Sequence, residues 1–521
     1  MKYYGITIGP INATLALAAK PAGLWYASYM FSDITRMLCA YLSAKDGVSI
    51  LSPYYEKNEP IDGIGSYHDR VLFSVDVDDP EDMDSFVQEV IQRVKTGVGN
   101  RLARDLGHGE DKDKTEKITA YMHRYLCIHY LSVSDAEKGD KSVGEALSAY
   151  LDTLELYENI PESGGENYLL TMFGVMEEGS DQDTASNKNI KNSELVKRIL
   201  NTGKKNFQLF EKGRNRIKNL AYISGAGKTK KKHGEDIPDT GGWKKWKYYA
   251  VVQADGDNLG EAGRMIGDDL KISEICKRYT KRCAKLIGEK GGMAIFAGGD
   301  DLLFLAPVQN RDGETLFTLC SKISEIYMEE FKEVNDKLSG IAQTSLSMGI
   351  AVSYWKFPLY EALKKAKDQL FQCAKKTKNT LAIVLNKSGG SKIEGEYLFG
   401  SEKEKRYLEF LDNVLEKEVS AQGGVSKGEG ENEQTDSGIL HSMLYHIKEY
   451  EALFRKAIEC GEKETGICLD NMFERSKSSV YFQECRGMML HLVKSSHNPG
   501  DVYKEILFAL RFVHFFAEKE E

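Results

Sequence analysis

Two short stretches carry residue types suited to chemistry on phosphates. In VVQADGDNLG an apolar run ends at Ala254, and Asp255-Gly256-Asp257-Asn258 follow it. In MAIFAGGDDLLFLAP two apolar runs flank Gly298-Gly299-Asp300-Asp301, the pattern of a hairpin whose glycines supply permissive backbone. Asp and Gly are among the commonest hairpin-turn residues, so neither stretch is diagnostic alone. Brought together, the carboxylates of Asp255, Asp300 and Asp301 would repel one another unless cations neutralised them. Hard oxygen donors favour Mg²⁺ or Mn²⁺ over zinc. Two such ions about 3.5–4 Å apart would activate an attacking hydroxyl and stabilise a departing pyrophosphate. These three residues are therefore the candidate metal ligands and catalytic groups. Gly256, Asp257, Asn258, Gly298 and Gly299 are candidates for holding the nucleotide, the glycines because no Cβ would bar its approach.

The surrounding pattern supplies the elements that position them. A strand over Lys247–Ala254 is followed by a helix at about Ile272–Lys290 and a strand over Met293–Ala297. The turn, a strand over Leu302–Ala306 and a helix over Glu314–Lys337 come next. A strand over Thr344–Val352, a helix over Leu359–Lys375 and a strand over Leu381–Leu385 complete the unit. Its opening β-α-β-β-α-β order is ferredoxin-like, with one helix and one strand appended. A right-handed crossover leaves a gap that a later strand fills, which sets the end of the first strand beside the turn. Asp255 then meets Asp300 and Asp301. Lys375 and Lys378 fall near the end of a helix whose apolar stripe is Leu359, Leu363, Ala366, Leu370 and Ala374. An ammonium there would neutralise a triphosphate; the alternative is a solvated basic face. Ser347 and Gly349 lie on a strand beside the site, within reach of a nucleotide.

The first hundred residues repeat this layout without the carboxylates. Strands over Tyr3–Ile8, Ser49–Leu51 and Val71–Val77 alternate with helices over Leu24–Leu42 and Pro80–Arg104. The organisation read from the chain is a degenerate unit at 1–105, a helical domain at 106–224 and a polar linker at 225–242. A catalytic unit at 243–395 and a C-terminal helical domain at 396–521 follow, the latter with a Gly/Glu/Ser-rich mobile linker at 420–438. A Gly/Ser/Asp-rich loop is expected near Glu177–Asn187. Trp25, Tyr26, Tyr29 and Phe31 suit core packing, or a base pocket between the two units.

Composition narrows the function classes. With 521 residues, two to four domains are expected. A net charge of −9 does not suit a protein that grips nucleic acid with its whole surface. Nine scattered cysteines without a C-x-x-C pair exclude a disulfide framework and a zinc ribbon; Cys276 and Cys283 read as buried small hydrophobes. No signal peptide and no membrane-length apolar run is seen, so a cytoplasmic protein is expected. SGAGKTKKK mimics a phosphate-binding loop, but Tyr222 stands where the first glycine of that pattern belongs.

The stretches YYAVVQADGDNLG, FAGGDDLLFLAP, SMGIAVSYWKFPLYEALKKAKDQL and KNTLAIVLNKSGG resemble the palm domain of the large subunit of type III CRISPR interference complexes, the Cmr type more than the Csm type. ITIGPINATLALAA and LWYASYMFSDI resemble that subunit's first, inactive palm-like domain. The resemblance implies an α+β fold with two ferredoxin-like palms, the first degenerate, plus helical domains. It implies an antiviral subunit that turns ATP into a cyclic oligoadenylate second messenger, with two Mg²⁺ or Mn²⁺ ions, when its complex binds target RNA. It implies partner subunits that hold most of the crRNA and target RNA. Asp255, Asp300 and Asp301 match the family's metal ligands, Asp257 matches a second acidic position that orients the loop, and the resemblance favours Lys378 as a triphosphate contact.

Two family features are missing. The chain opens on the palm-like unit without an HD nuclease domain, and His68-Asp69 has no histidines spaced on neighbouring helices to complete a metal site. The region before the second palm lacks the family's cysteine-rich zinc element. Neither DNA cleavage nor zinc is therefore expected. Transfer of AMP to S-adenosylmethionine by the same site is the alternative reaction, and a silent scaffold is the alternative role, against which the three intact carboxylates argue. A stand-alone diguanylate cyclase would have Glu and Phe where Asp301 and Leu302 stand.

Overall fold

A computed structural model of the chain describes residues 1–57, 59, 63–76, 80–157, 166–181, 209–211, 217–225, 247–310, 312–338, 343–386, 392–400, 405, 410, 436–495 and 499–517. The expected linker at 225–242 lies outside the described residues save for Gly225. So does the one at 420–438 up to Asp436, where a helix, Asp436–Glu449, begins. Of the loop expected near Glu177–Asn187, residues up to Asp181 continue a helix and the rest lie outside the described residues.

Two sheets organise the α+β fold. β1 (Lys2–Gly9), β2 (Val48–Ser52), β3 (Arg70–Val75) and β4 (Cys127–Ser134) form a sheet of order β2-β3-β1-β4. β5 (Tyr248–Asp257), β6 (Met293–Gly298), β7 (Asp301–Pro307), β8 (Ser345–Tyr354), β9 (Thr380–Asn386) and β10 (Lys392–Leu398) form the second, of order β10-β9-β8-β5-β7-β6. The run β6-β7-β5-β8 repeats β2-β3-β1-β4 strand for strand, so both are ferredoxin-like palms. Only β8 and β9 pair in parallel among the described ladders.

The helix Pro21–Leu42 lies between the sheets. Proline at its first turn suits the helical φ. Apolar residues surround it almost completely, the signature of a buried helix. Trp25, Tyr26, Tyr29 and Phe31 are all buried, in one hydrophobic core with Val251, Ile295 and Leu305 of the second sheet. They pack the core rather than open a base pocket. Cys276 and Cys283 are buried on the helix Asp269–Glu289, as expected of small hydrophobes. The C-terminal helices share the second palm's core; Gly395 of β10 lets the ring of Phe508 approach where a Cβ would stand 2.5 Å away.

Several readings from sequence need correction. Residues 106–224 are not wholly helical: CIHYLSVS forms β4, paired to β1 from Lys2↔Ser134 to Gly9↔Cys127, so the first palm runs past residue 105. The neighbouring helix Lys112–Tyr125 and the half-buried face of the strand hid it; Leu131 and Val133 pack against a small cluster of Leu72, Val143, Leu147 and Leu151. β5 runs on through Asp255-Gly256-Asp257, because these residues pair with Ser347, Leu346 and Ser345. β10 was missed because it is an acidic edge strand with one well-buried residue, Ile393. The helix over Glu314–Lys337 breaks at Phe331, and a short helix, Leu259–Ile266, follows Asn258.

Candidate metal and nucleotide site

Strand register brings the carboxylates together. Ala254 pairs with Leu302, so the next step of the antiparallel ladder sets Asp255 beside Asp301, the first residue of β7. Gly298 pairs with Asp301 across a two-residue connection, Gly299-Asp300. Gly299 has φ +63°, the value that favours glycine at the first central position of a tight hairpin. One carboxylate oxygen from each of Asp255, Asp300 and Asp301 lies within 4.8 Å of the others.

Asp300 lies half-buried against the backbone of Gly256, where a Cβ would stand 2.6 Å from its Oδ2 and 2.7 Å from the Tyr327 hydroxyl. Gly256 is thus needed for the carboxylate's approach, rather than for a nucleotide's. The floor below is aromatic: Tyr327 stacks on Phe331 at 4.4 Å and meets Tyr279 edge-on at 5.0 Å. Burial, and then the charge of Asp255, hold the Asp300 pKa above the carboxylate range. Asp301 reaches solvent at the rim, yet protein crowding around its carboxylate, ahead of Asp300, Asp255 and Asp69, raises its pKa as well. Stored repulsion of this kind is what a bound cation relieves.

Lys375 supplies one opposing charge. Its Nζ lies 2.9 Å from Asp255 Oδ2 and 3.2 Å from Asp257 Oδ1, and it donates to the carbonyl oxygens of Asp255 and Gly256. Burial would lower its pKa, but the two carboxylates outweigh that and raise it. The ammonium is aimed by a turn of π-helix, Leu370–Ala374, inside the expected helix over Leu359–Lys375; such turns recur at functional sites. The π-turn presses on β8 at Gly349, where a Cβ would lie 2.2 Å from the Ala366 carbonyl oxygen. Gly349 therefore serves helix packing and does not face a nucleotide.

Asp257 is a buried anchor. Its carboxylate accepts from the hydroxyls of Ser345 and Ser347 and from the backbone N–H of Asn379. Ser347 is fully buried on it, so its hydroxyl positions the loop rather than touching a ligand. Lys378 is exposed and donates to Asn258 Oδ1 at 2.5 Å. Asn258, Lys378 and Asn379 are the non-glycine residues with positive φ among the described residues. All three border this site, and backbone held in such sparsely populated regions clusters at functional sites. Sequence reasoning missed Asn379, Ser345 and Tyr327; the serine and the tyrosine look ordinary until the register is known. The His68 ring lies 3.7 Å from where a Cβ of Gly299 would stand.

The donor set fits a divalent metal. Three oxygen-bearing carboxylates meet one ammonium, which leaves net negative charge for hard cations. Residues 248–382 match the family described as Cas10/Cmr2, second palm domain. The second palm is therefore similar to that family's second palm domain over these residues. The chain is 29% identical over 175 residues to the CRISPR system Cmr subunit Cmr2 of Pyrococcus furiosus, which covers 28% of this chain and 19% of that protein. The likeness in fold is wider. A type III-B Cmr-beta structure in the apo state superposes with a TM-score of 0.53 at 11% identity, over 99% of this chain and 82% of that one. The Cmr-beta structure bound to cognate target RNA gives the same score and identity over 99% and 83%. The Cas10/Cmr2-type palm thus spans β5 through the start of β9, which holds Asp255, the GGDD turn and Lys375. No helix among the described residues is long and apolar enough to cross a membrane.

Proposed function

We propose that the chain is the nucleotidyl-joining subunit of a type III CRISPR effector, activated by target RNA and making a cyclic oligoadenylate from ATP. The observation that carries this reading is the meeting of Asp255, Asp300 and Asp301 within 4.8 Å at the edge of a Cas10/Cmr2-type palm. Asp255, Asp300 and Asp301 would hold two Mg²⁺ or Mn²⁺ ions. Such ions would supply activation of a hydroxyl and stabilisation of a leaving pyrophosphate. The hydroxyl oxygen of one nucleotide attacks the α-phosphorus of ATP; a phosphodiester bond forms, the α–β bridge breaks and the hydroxyl proton passes to solvent. Lys375 holds the Asp255-Gly256 backbone in place, Asp257 fixes the loop, and Lys378 and Asn258 stand at the exposed rim where a triphosphate would enter. A fold relative is a complex bound to target RNA, which supports RNA and partner subunits as the activating context.

The test incubates the purified protein, in its complex, with ATP, Mg²⁺ and target RNA, with and without S-adenosylmethionine, and identifies the product by mass spectrometry. A cyclic oligoadenylate made from ATP alone is expected. It should need Mg²⁺ or Mn²⁺ and survive zinc-selective chelation. A product formed only when S-adenosylmethionine is present would replace the reaction proposed here.

A further inference from the structure

Among the described residues the first palm shows no carboxylate triad, yet its connection from β2 to β3 reaches the second palm's GGDD turn. β6 is the outermost strand of its sheet on that side, so its outer backbone groups need partners. The segment that joins β2 to β3 provides them. Gly65 forms a parallel bridge with Phe296 and accepts from the Ala297 N–H at 2.7 Å, while Ser28 donates to the Ile295 carbonyl oxygen at 3.0 Å. The two chains then run on together. A Cβ on Gly298 would lie 3.2 Å from the Ser66 backbone, and one on Gly299 3.7 Å from the His68 ring. Gly63–Asp69 is thus an extended segment, bridged to β6 at Gly65, that lies along the entry to the GGDD turn.

The segment is held from both sides. On the first palm, Trp25 Nε1 donates to the Gly63 carbonyl oxygen at 2.7 Å and the Tyr67 N–H donates to Ser32 Oγ at 2.9 Å. On the second palm, Lys277 of the helix Asp269–Glu289 does the holding. Its Nζ lies 2.8 Å from Glu59 Oε2, 3.2 Å from Ser66 Oγ and 4.3 Å from the centre of the Tyr67 ring. The Tyr67 hydroxyl donates to the same Glu59 oxygen at 2.7 Å. Lys277 and Glu59 are each 12% exposed, so the pair is little screened by water.

We propose that Gly63–Asp69, pinned by the Lys277–Glu59 pair, is a positioning element of the nucleotidyl site, by which the first palm fixes the GGDD turn that carries Asp300 and Asp301. This rests on the metal-site reading above. Ligand placement errors of about 1 Å cost on the order of 100-fold in rate, so a segment that steadies the turn acts on turnover and metal affinity rather than on nucleotide affinity. The contacts of Lys277 are with Glu59, Ser66 and Tyr67, which makes it a positioning residue.

The test compares Lys277→Met and Lys277→Arg with the parental protein and with the Asp300→Ala/Asp301→Ala variant, all in the assembled complex. Four quantities are measured: kcat, the ATP KM, Mn²⁺ affinity by electron paramagnetic resonance, and Tm. Lys277→Met is expected to lower kcat about tenfold and weaken Mn²⁺ about tenfold with ATP KM unchanged, and Lys277→Arg to restore most of both. If Lys277→Met lowers Tm but leaves kcat and Mn²⁺ affinity at parental values, the pair is only structural and the proposal fails. If Lys277→Met fails to fold, Ser66→Ala, which removes one bond of the same clamp, is expected to weaken Mn²⁺ two- to threefold; no change overturns the proposal. Parental protein that binds Mn²⁺ no better than the double-alanine variant would overturn the metal-site reading itself, and this inference with it.

Discussion

The two palms share one strand order and differ in how they handle charge. In the first, buried charges are matched: Arg101 pairs with Asp33, which Arg36 also contacts at 2.6 Å. In the second, the carboxylates of Asp255, Asp300 and Asp301 crowd together while Lys375 pairs with Asp255 and Asp257, so the site carries repulsion that this one ammonium does not fully relieve. Their hairpins differ in the same sense. β6 and β7 are joined by Gly299-Asp300 alone, whereas the longer connection from β2 to β3 includes Gly63–Asp69, which touch the neighbouring palm at Gly65 and Ser66. A ferredoxin-like palm evidently needs neither the acidic turn nor the short connection to fold. The acidic turn belongs to the second palm, and Gly63–Asp69 of the first palm's connection make contact beside it.

The strongest way to break this contrast is to remove the unmatched charge. Asp300→Ala/Asp301→Ala should lower nucleotide joining by about 10³-fold or more, the worth of several kcal/mol of metal-borne stabilisation. Its Tm, measured without metal, should be equal to or above the parental value because repulsion is relieved. The mirror experiment lies in the first palm. Arg101→Met should cost about 3 kcal/mol in denaturant unfolding, since it leaves Asp33 buried with a weaker partner, while the folded fraction keeps its Mn²⁺ affinity.

Gly256→Ala sharpens the comparison at a single Cβ. It would strike the Asp300 carboxylate at 2.6 Å and should lower kcat about 100-fold, with Mn²⁺ affinity falling in parallel in a titration. The smallest effect is expected at Lys375. Lys375→Gln keeps a donor for the Asp255 and Gly256 carbonyl oxygens but removes the charge, and a drop of about tenfold in kcat at saturating Mg²⁺ should follow.

Much of the site was legible because short, nearly continuous apolar runs point straight at it. VVQA and IFA run to the carboxylates, and the glycines between the strands announce a tight turn. The family resemblance then rested on whole stretches rather than on four letters. What stayed hidden depended on tertiary register. Ser347 reads as a residue beside a ligand until its hydroxyl is seen donating to Asp257, and Gly349 reads the same way until the π-turn is seen lying on it. β4 and β10 were missed because each buries little: Leu131 and Val133 face one small cluster, and Ile393 is nearly alone among acidic neighbours. The segment 63–69 has no periodicity at all, since its bonds go to another domain's edge strand.

The central claim is that the three carboxylates of the second palm hold the divalent ions that join nucleotides. Crystals or frozen complexes prepared with Mn²⁺ and a non-hydrolysable ATP analogue test it most directly, with anomalous scattering or density used to place the metal. Two Mn²⁺ ions about 3.5–4 Å apart, ligated by Asp255, Asp300 and Asp301, are predicted. Mn²⁺ bound elsewhere, with the nucleotide's α-phosphate distant from this turn, would contradict the account.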